Sequence, residues 1–248
     1  MTGRRSDPLS GAKMAKAGNF ARVEEAVSPE ELLGPLTELE RKYAPARLYV
    51  AGNLGKPLPH PRVSIVGTRR PSEEGLDATA RIARSLARRG AIIVSGLAAG
   101  IDTAAHRAAI DAGGKTIAVL GTPLSRTYPA KNSALQRLIM TKHLAISQFP
   151  EGRPVQRKNF VLRNRTMALL SDATVIVESG ETGGSLHQGW EAIRLGRPLF
   201  IRQPVLLDPR LDWPRSMANY GAVEFEEPSD ILDFVPIGVP ALTIDGTN

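Results

Sequence analysis

The chain has no cysteine among its 248 residues. That excludes disulfides, thiolate metal sites and cysteine nucleophiles, and it fits a reducing, cytoplasmic setting. No apolar run approaches the roughly eighteen residues that a membrane span needs. Residues 1–22 hold no apolar signal-peptide core, so neither a membrane nor an export route is expected. The four histidines, His60, His106, His143 and His187, include no pair at metal-ligand spacing. No metal site is expected, and no cofactor. A dinucleotide fingerprint, G-x-G-x-x-G, is missing, and the second strand ends in Ser95 where an acid would hold a ribose. Both omissions argue against a classical nicotinamide enzyme. Acid is also scarce locally: residues 115–165 carry ten basic residues against one carboxylate, Glu151.

That local scarcity stands inside a formal net charge of +7. Residues 1–22 add Arg4, Arg5, Lys13, Lys16 and Arg22 against Asp7, so the rest of the chain is net acidic. A distribution this uneven fits either a solvated basic face or a face that binds a polyanion. The apolar share of 42 % suffices for a sizeable core. The length allows one large domain or two small ones.

Along the chain, residues 1–27 read as a flexible basic arm and 28–56 as a short helical lead-in and linker. Ser28-Pro29-Glu30-Glu31 is a helix start, with a cap, a proline and then acids. From about residue 57 to 236 the pattern is regular, and 237–248 form a tail. Mostly apolar runs at 63–66, 91–94, 116–120, 144–149, 174–177 and 198–201 read as buried strands. Helices are expected at 75–89, 101–111, within 132–142, and at 164–170, 185–195 and 229–234. In the first of these, Leu76, Ala80, Ala83, Leu86 and Ala87 form the apolar face, and Gly90 stops it. Apolar strands alternating with helices predict an α/β fold: a doubly wound, mostly parallel sheet with helices on both faces. Ligands of such sheets bind outside the carboxyl ends of the strands.

The unusual residues lie at those ends. After the first strand come Gly67-Thr68-Arg69-Arg70, a sharp turn with two arginines able to grip phosphate, or a turn with solvated arginines. After the second, Ser95-Gly96 lead through Gly100 to the helix at 101–111, whose first backbone N–H groups would face an anion unless Asp102 acts as a cap. His106, on the same helix face, fits a packed residue or a catalyst. The third strand is followed by Gly121, Tyr128 and Asn132, with Tyr128 placed to stack on a base or to pack on its loop. After the fourth, Arg157, Lys158, Phe160, Asn164 and Arg165 combine cations with one aromatic, as single-stranded nucleic acid requires. The bland alternative is a core phenylalanine among solvated cations. After the fifth, Gly183-Gly184-Ser185 before a helix read as an anion nest or as a flexible connector. Together these turns would line one phosphate-binding rim.

V-S-I-V-G-T-R-R-P, I-I-V-S-G-L-A-A-G-I-D-T-A-A-H-R, T-I-A-V-L-G-T, Y-P-A-K-N, N-F-V-L-R-N-R and G-G-S-L follow one another in an order and spacing that resembles the DprA/Smf DNA-processing family. The likeness runs from about Leu48 to Leu232. It implies a Rossmann-like core, single-stranded DNA binding, aid in loading a RecA-type recombinase during transformation or recombination, and a homodimer. The family's DNA pocket would map onto Arg69, the stretch around Arg157, Lys158 and Phe160, and Asn164 and Arg165, with Gly67, Gly96 and Gly100 as its backbone loops. Members often carry a helical N-terminal domain and a C-terminal winged helix; the flanking residues are too few for either to be expected here. The family's S-G-S-L-x-T-A is replaced by G-G-S-L-H-Q-G-W, which ends at Trp190.

The same residues also resemble the Lonely Guy type phosphoribohydrolases of that superfamily, which release a base from a nucleoside monophosphate. Arg163 and Met167 match an R-x-x-x-M motif, and Gly184-Ser185 match part of G-G-x-G-T-x-x-E. Gln188 stands where the catalytic Glu belongs and cannot move a proton. On that alternative Glu191 and Arg163 would be the catalytic pair. A nucleotide sensor using the same rim without DNA is the third reading.

Overall fold

The computed structural model describes residues 15–16, 25–232 and 234–235. Most of the expected basic arm and the whole expected tail lie outside the described residues. Local chemistry starts the helices where capping is strong. Helix α1 (Pro29–Leu33) and helix α2 (Glu38–Tyr43) each begin with a capping box, Ser28 with Glu31 and Thr37 with Glu40. Helix α3 (Glu73–Arg88) is capped by Ser72, whose Oγ accepts from Gly75 N at 3.0 Å. Its buried stripe is Ala78, Ile82 and Leu86 with Thr79 and Ala83. Leu76, expected on that stripe, is exposed instead, because the sheet lies under the neighbouring face of the helix.

The sheet consists of β2 (Glu25–Val27), β3 (Leu48–Gly52), β4 (Arg62–Gly67), β5 (Ile92–Ser95), β6 (Thr116–Leu120), β8 (Leu144–Ser147), β9 (Ala173–Glu178), β10 (Leu199–Arg202) and β11 (Val223–Phe225), while β1 (Ala15–Lys16) pairs with β7 (Arg126–Thr127). Its nine strands lie in the order β11-β10-β9-β4-β5-β6-β8-β3-β2. Every neighbour pair from β11 to β8 is parallel; β3 and β2 are antiparallel additions. The remaining helices are α4 (Ile101–Asp111), α5 (Ser133–Lys142), α6 (Arg157–Leu170), α7 (Gly184–Arg194), α8 (Gln203–Leu206), α9 (Trp213–Ala218) and α10 (Pro228–Leu232).

Strand period two sorts the core into layers. Val63 and Ile65 of β4 pack with α3 and α4 residues such as Ile82, Leu86 and Ile101. Val66 faces the other way, toward Met167 and Leu170 of α6 and Met217 of α9. Helix α5 closes the first face over β6 and β8. Helices therefore cover both faces, and the fold is a Rossmann-like, mostly parallel α/β sheet, as expected. Among the described residues no helix is long and apolar enough to cross a membrane.

Three differences from the sequence reading have physical causes. Leu48–Gly52, placed in the lead-in, joins the sheet antiparallel to β8; a five-residue run between Pro- and Gly-rich segments is too short to declare itself. Helix α6 begins at Arg157, not at 164. The short elements α9 and β11 pass unread because each buries few residues.

The chain walks outward from β4 through β5 and β6 to β8, then returns to β9 on the other side of β4. The crevice of a doubly wound sheet opens where that reversal occurs, here above the carboxyl ends of β4 and β9.

Candidate functional site

A cavity of about 790 Å³ lies at that switch point. Gly67, Thr68, Arg69 and Arg70 line it from the turn after β4, and Gly183, Gly184 and Ser185 from the start of α7. Asp102 of α4 and Arg157, Phe160, Arg163 and Asn164 of α6 complete its walls. Four arginines thus meet one carboxylate. The loops are tied across the switch point. Thr68 N donates to Glu178 O at 2.7 Å, and the Glu178 carboxylate accepts from Ser72 N at 3.0 Å and Ser72 Oγ at 2.7 Å. A Cβ on Gly67 would meet Glu178 O and the Ile101 side chain at 2.6 Å each, so only glycine lets the strands close this tightly.

The turn after β5 does not offer the open nest that its glycines suggest. Asp102 Oδ2 accepts from Gly96 N at 3.1 Å and Ala98 N at 3.3 Å, so the protein's own carboxylate fills the nest. Ser95 is fully buried, with its hydroxyl donating to Ile65 O at 2.7 Å, and Gly96 and Gly100 lie off the cavity wall. Gly96 makes room for Arg163, since a Cβ there would occupy the guanidinium's position. Arg163 Nη1 donates to Val119 O at 3.1 Å and lies 3.9 Å from Asp102 Oδ2. Burial pushes the Asp102 carboxyl up against the pull of Arg163, and burial likewise presses the guanidinium down. The pair forms a rigid back wall. Leu97, at φ 56, is held by its buried side chain and by Asn132 Nδ2, which donates to its carbonyl at 2.8 Å.

The front wall is aromatic. Phe160 packs over Gly121 and meets Tyr128 at 5.2 Å between ring centroids, tilted by 54°. The Arg69 guanidinium sits 5.9 Å from the Phe160 centroid. A half-buried ring with a cation above it is a stacking platform with charge at hand. Opposite, α7 starts without a side-chain cap. Its first N–H groups and its dipole face the cavity as an anion would require. Asn164 Nδ2 donates to Gly184 O at 2.8 Å and fixes that end against α6.

Lys158 and Arg165, expected in the same rim, lie on the outer face of α6 and do not line the cavity. Helical geometry forces this, because neither shares the helix face of Phe160, Arg163 and Asn164. Arg165 Nε donates to Glu191 Oε1 at 2.8 Å, and Arg194 pairs with the same carboxylate. Glu191 is therefore committed to two arginines away from the cavity. Gln188 lines the cavity, yet it is fully buried. Oriented to satisfy both ends, its amide nitrogen donates to Asn164 O at 2.6 Å and its oxygen accepts from Ser64 Oγ at 3.2 Å and Thr174 Oγ1 at 3.3 Å. The hydrolase alternative thus finds an amide locked in the core where its carboxylate belongs, and Arg163 held as back wall. His187, left unassigned by the sequence, stands on the wall one turn into α7. Its distance of three residues from Gly184 was the signal that could have placed it.

Fold and site together define a Rossmann-like protein with a basic, glycine-lined crevice at its topological switch point. The chain belongs to the DNA recombination-mediator protein A family, whose model matches residues 26–236. It is 32 % identical over 192 residues to DNA processing protein DprA of Bacillus subtilis and 38 % identical over 189 residues to that of Streptococcus pneumoniae. These matches cover 77 % and 76 % of this chain but 65 % and 66 % of the relatives, so the chain spans just under two thirds of their length. The solved Streptococcus pneumoniae structure superposes with a TM-score of 0.74, over 87 % of this chain and 75 % of that one. A structure of DNA processing protein A from Helicobacter pylori, reported for its single-stranded DNA binding mode, superposes with a TM-score of 0.68 at 25 % identity, over 90 % of this chain and 96 % of that one.

Proposed function

We propose that this chain binds single-stranded DNA in the crevice above the carboxyl ends of β4 and β9. Phosphates lie against Arg69, Arg70, Arg157 and the start of α7, and an unpaired base stacks on Phe160 beside Tyr128. One observation carries the reading: three wall arginines and an uncapped helix start surround an aromatic platform in a single cavity of about 790 Å³. Family membership supports it, as does the single-strand binding of the Helicobacter pylori relative. Within the cell the chain acts in the cytoplasm as a homodimer that passes bound strand to a RecA-type recombinase in recombination or DNA uptake. The family's description as recombination mediators supports that wider role.

The test is fluorescence anisotropy of labelled oligo-dT over a range of salt concentrations. Tight binding with a steep salt dependence is expected, and Arg69→Ala should lower the slope by roughly 0.7, the contribution of one single-strand phosphate contact. Unchanged affinity and slope in Arg69→Ala would remove the crevice from the account.

A further inference from the structure

We propose that a strand bound in the crevice leaves it across a second basic basin between α3 and α4, where Arg107 and Lys131 take its next phosphates. This rests on the single-strand reading above and gives it a direction. The basin, about 390 Å³, shares Arg69 with the crevice, so the two are joined without a gap in positive charge. Among the described residues Arg107 and Lys131 line it, and no carboxylate does. Both are exposed, and among the described residues neither side chain makes a hydrogen bond or an ion pair. The floor is apolar, built from Pro71, Leu76 and Ala104. Leu76 is 39 % exposed although it sits on a helix that otherwise buries its leucine and isoleucine. Cations above an apolar floor suit a polyanion whose sugars and bases present apolar faces.

The opposite exit is poorer in available charge. Along α6 and α7 the cations beyond the crevice are Lys158, Arg165 and Arg194, and Glu191 holds the two arginines. A phosphate there would have to displace a carboxylate from either arginine, which leaves Lys158 as a single cation where the α3–α4 side offers two. On the α3–α4 side it meets cations without partners. Charge therefore steers the strand over Arg69 toward Arg107 and Lys131.

The experiment compares oligo-dT of about 4 and about 16 nucleotides, the range over which a groove of this kind fills. Anisotropy is measured for the full chain, for the double variant Arg107→Ala/Lys131→Ala and for Arg70→Ala, which lines the crevice but not the basin. The double variant should bind the short strand as the parent does. On the long strand it should lose affinity on the order of tenfold, with a salt slope reduced by roughly 1.4 for two lost contacts. Arg70→Ala should weaken both lengths alike. A double variant that binds the long strand like the parent, or weakens both lengths equally, overturns the basin while Arg70→Ala still reports on the crevice. If the parent binds neither length, both readings fall together.

Discussion

His106 is buried with no room for a charge. Its Nδ1 lies 2.7 Å from Thr116 Oγ1, and that hydroxyl donates to Ile93 O at 2.7 Å. The threonine can only accept from the ring, so the proton sits on Nδ1. Burial, with Arg163 and His143 adding like charge, pulls its pKa down to about 3 from 6.5. The sequence left this histidine open between packing and catalysis, and only its neighbours across the sheet decide for packing. The unfolded chain binds the proton more readily than the folded one. Stability is therefore complete above pH 6.5 and is lost as pH falls from there toward about 3, on the order of 4 kcal/mol across the window. Thermal unfolding between pH 7 and 4 should fall more gently in His106→Asn, whose amide can donate to Thr116 without titrating. Equal slopes in the two proteins would show that another group sets the acid limit.

Helix α6 carries most of the site, and the sequence showed only its second half, 164–170, and not its start at Arg157. Its first residues are Arg157 and Lys158, cations at the positive end of the helix dipole, and Gln156 gives no side-chain cap. Its inward face holds Asn159, Arg163 and Asn164 beside Met167 and Leu170, so the polar wall of a cavity interrupts the apolar period that betrays α3. Strands β4, β5, β6 and β9 were legible because burial on both faces leaves them mostly apolar. The glycine turns at their ends were legible for the same reason, as breaks in those runs. What the sequence could not give was which side chains point inward, and that cost it Lys158 and Arg165. The helix also positions its neighbour: Asn164 holds the first turn of α7 by the 2.8 Å bond to Gly184 O. Asn164→Ala should cost about 1 kcal/mol in chemical denaturation. It should also weaken oligo-dT binding through a looser α7 start, with the salt slope nearly unchanged because no charge is lost. A slope that falls as in Arg69→Ala would mean that the amide itself meets a phosphate.

Across the whole molecule, sheet order and charge converge on one end. The reversal between β4 and β9 opens the crevice, and the segment 115–165, with a single acid among ten bases, supplies much of its wall through Arg157, Phe160 and Arg163. Charge alone would favour duplex over single strand, because a duplex carries more phosphate per length. If the crevice binds single strands as proposed, the aromatic wall reverses that preference. Phe160 sits inside the crevice, against Gly121 and Tyr128, and a base reaches it only when it is neither paired nor stacked in a helix. Blunt duplex is then limited to outer contacts with exposed cations such as Arg70, and it should compete poorly for labelled oligo-dT at moderate salt. Adding a single-stranded tail to that duplex should restore competition to the level of the free tail. Phe160→Ala should erase the difference between blunt and tailed competitors by weakening only the tailed one. If blunt duplex competes as well as its tailed form, the crevice acts as a charged surface and the aromatic platform takes no part in recognition.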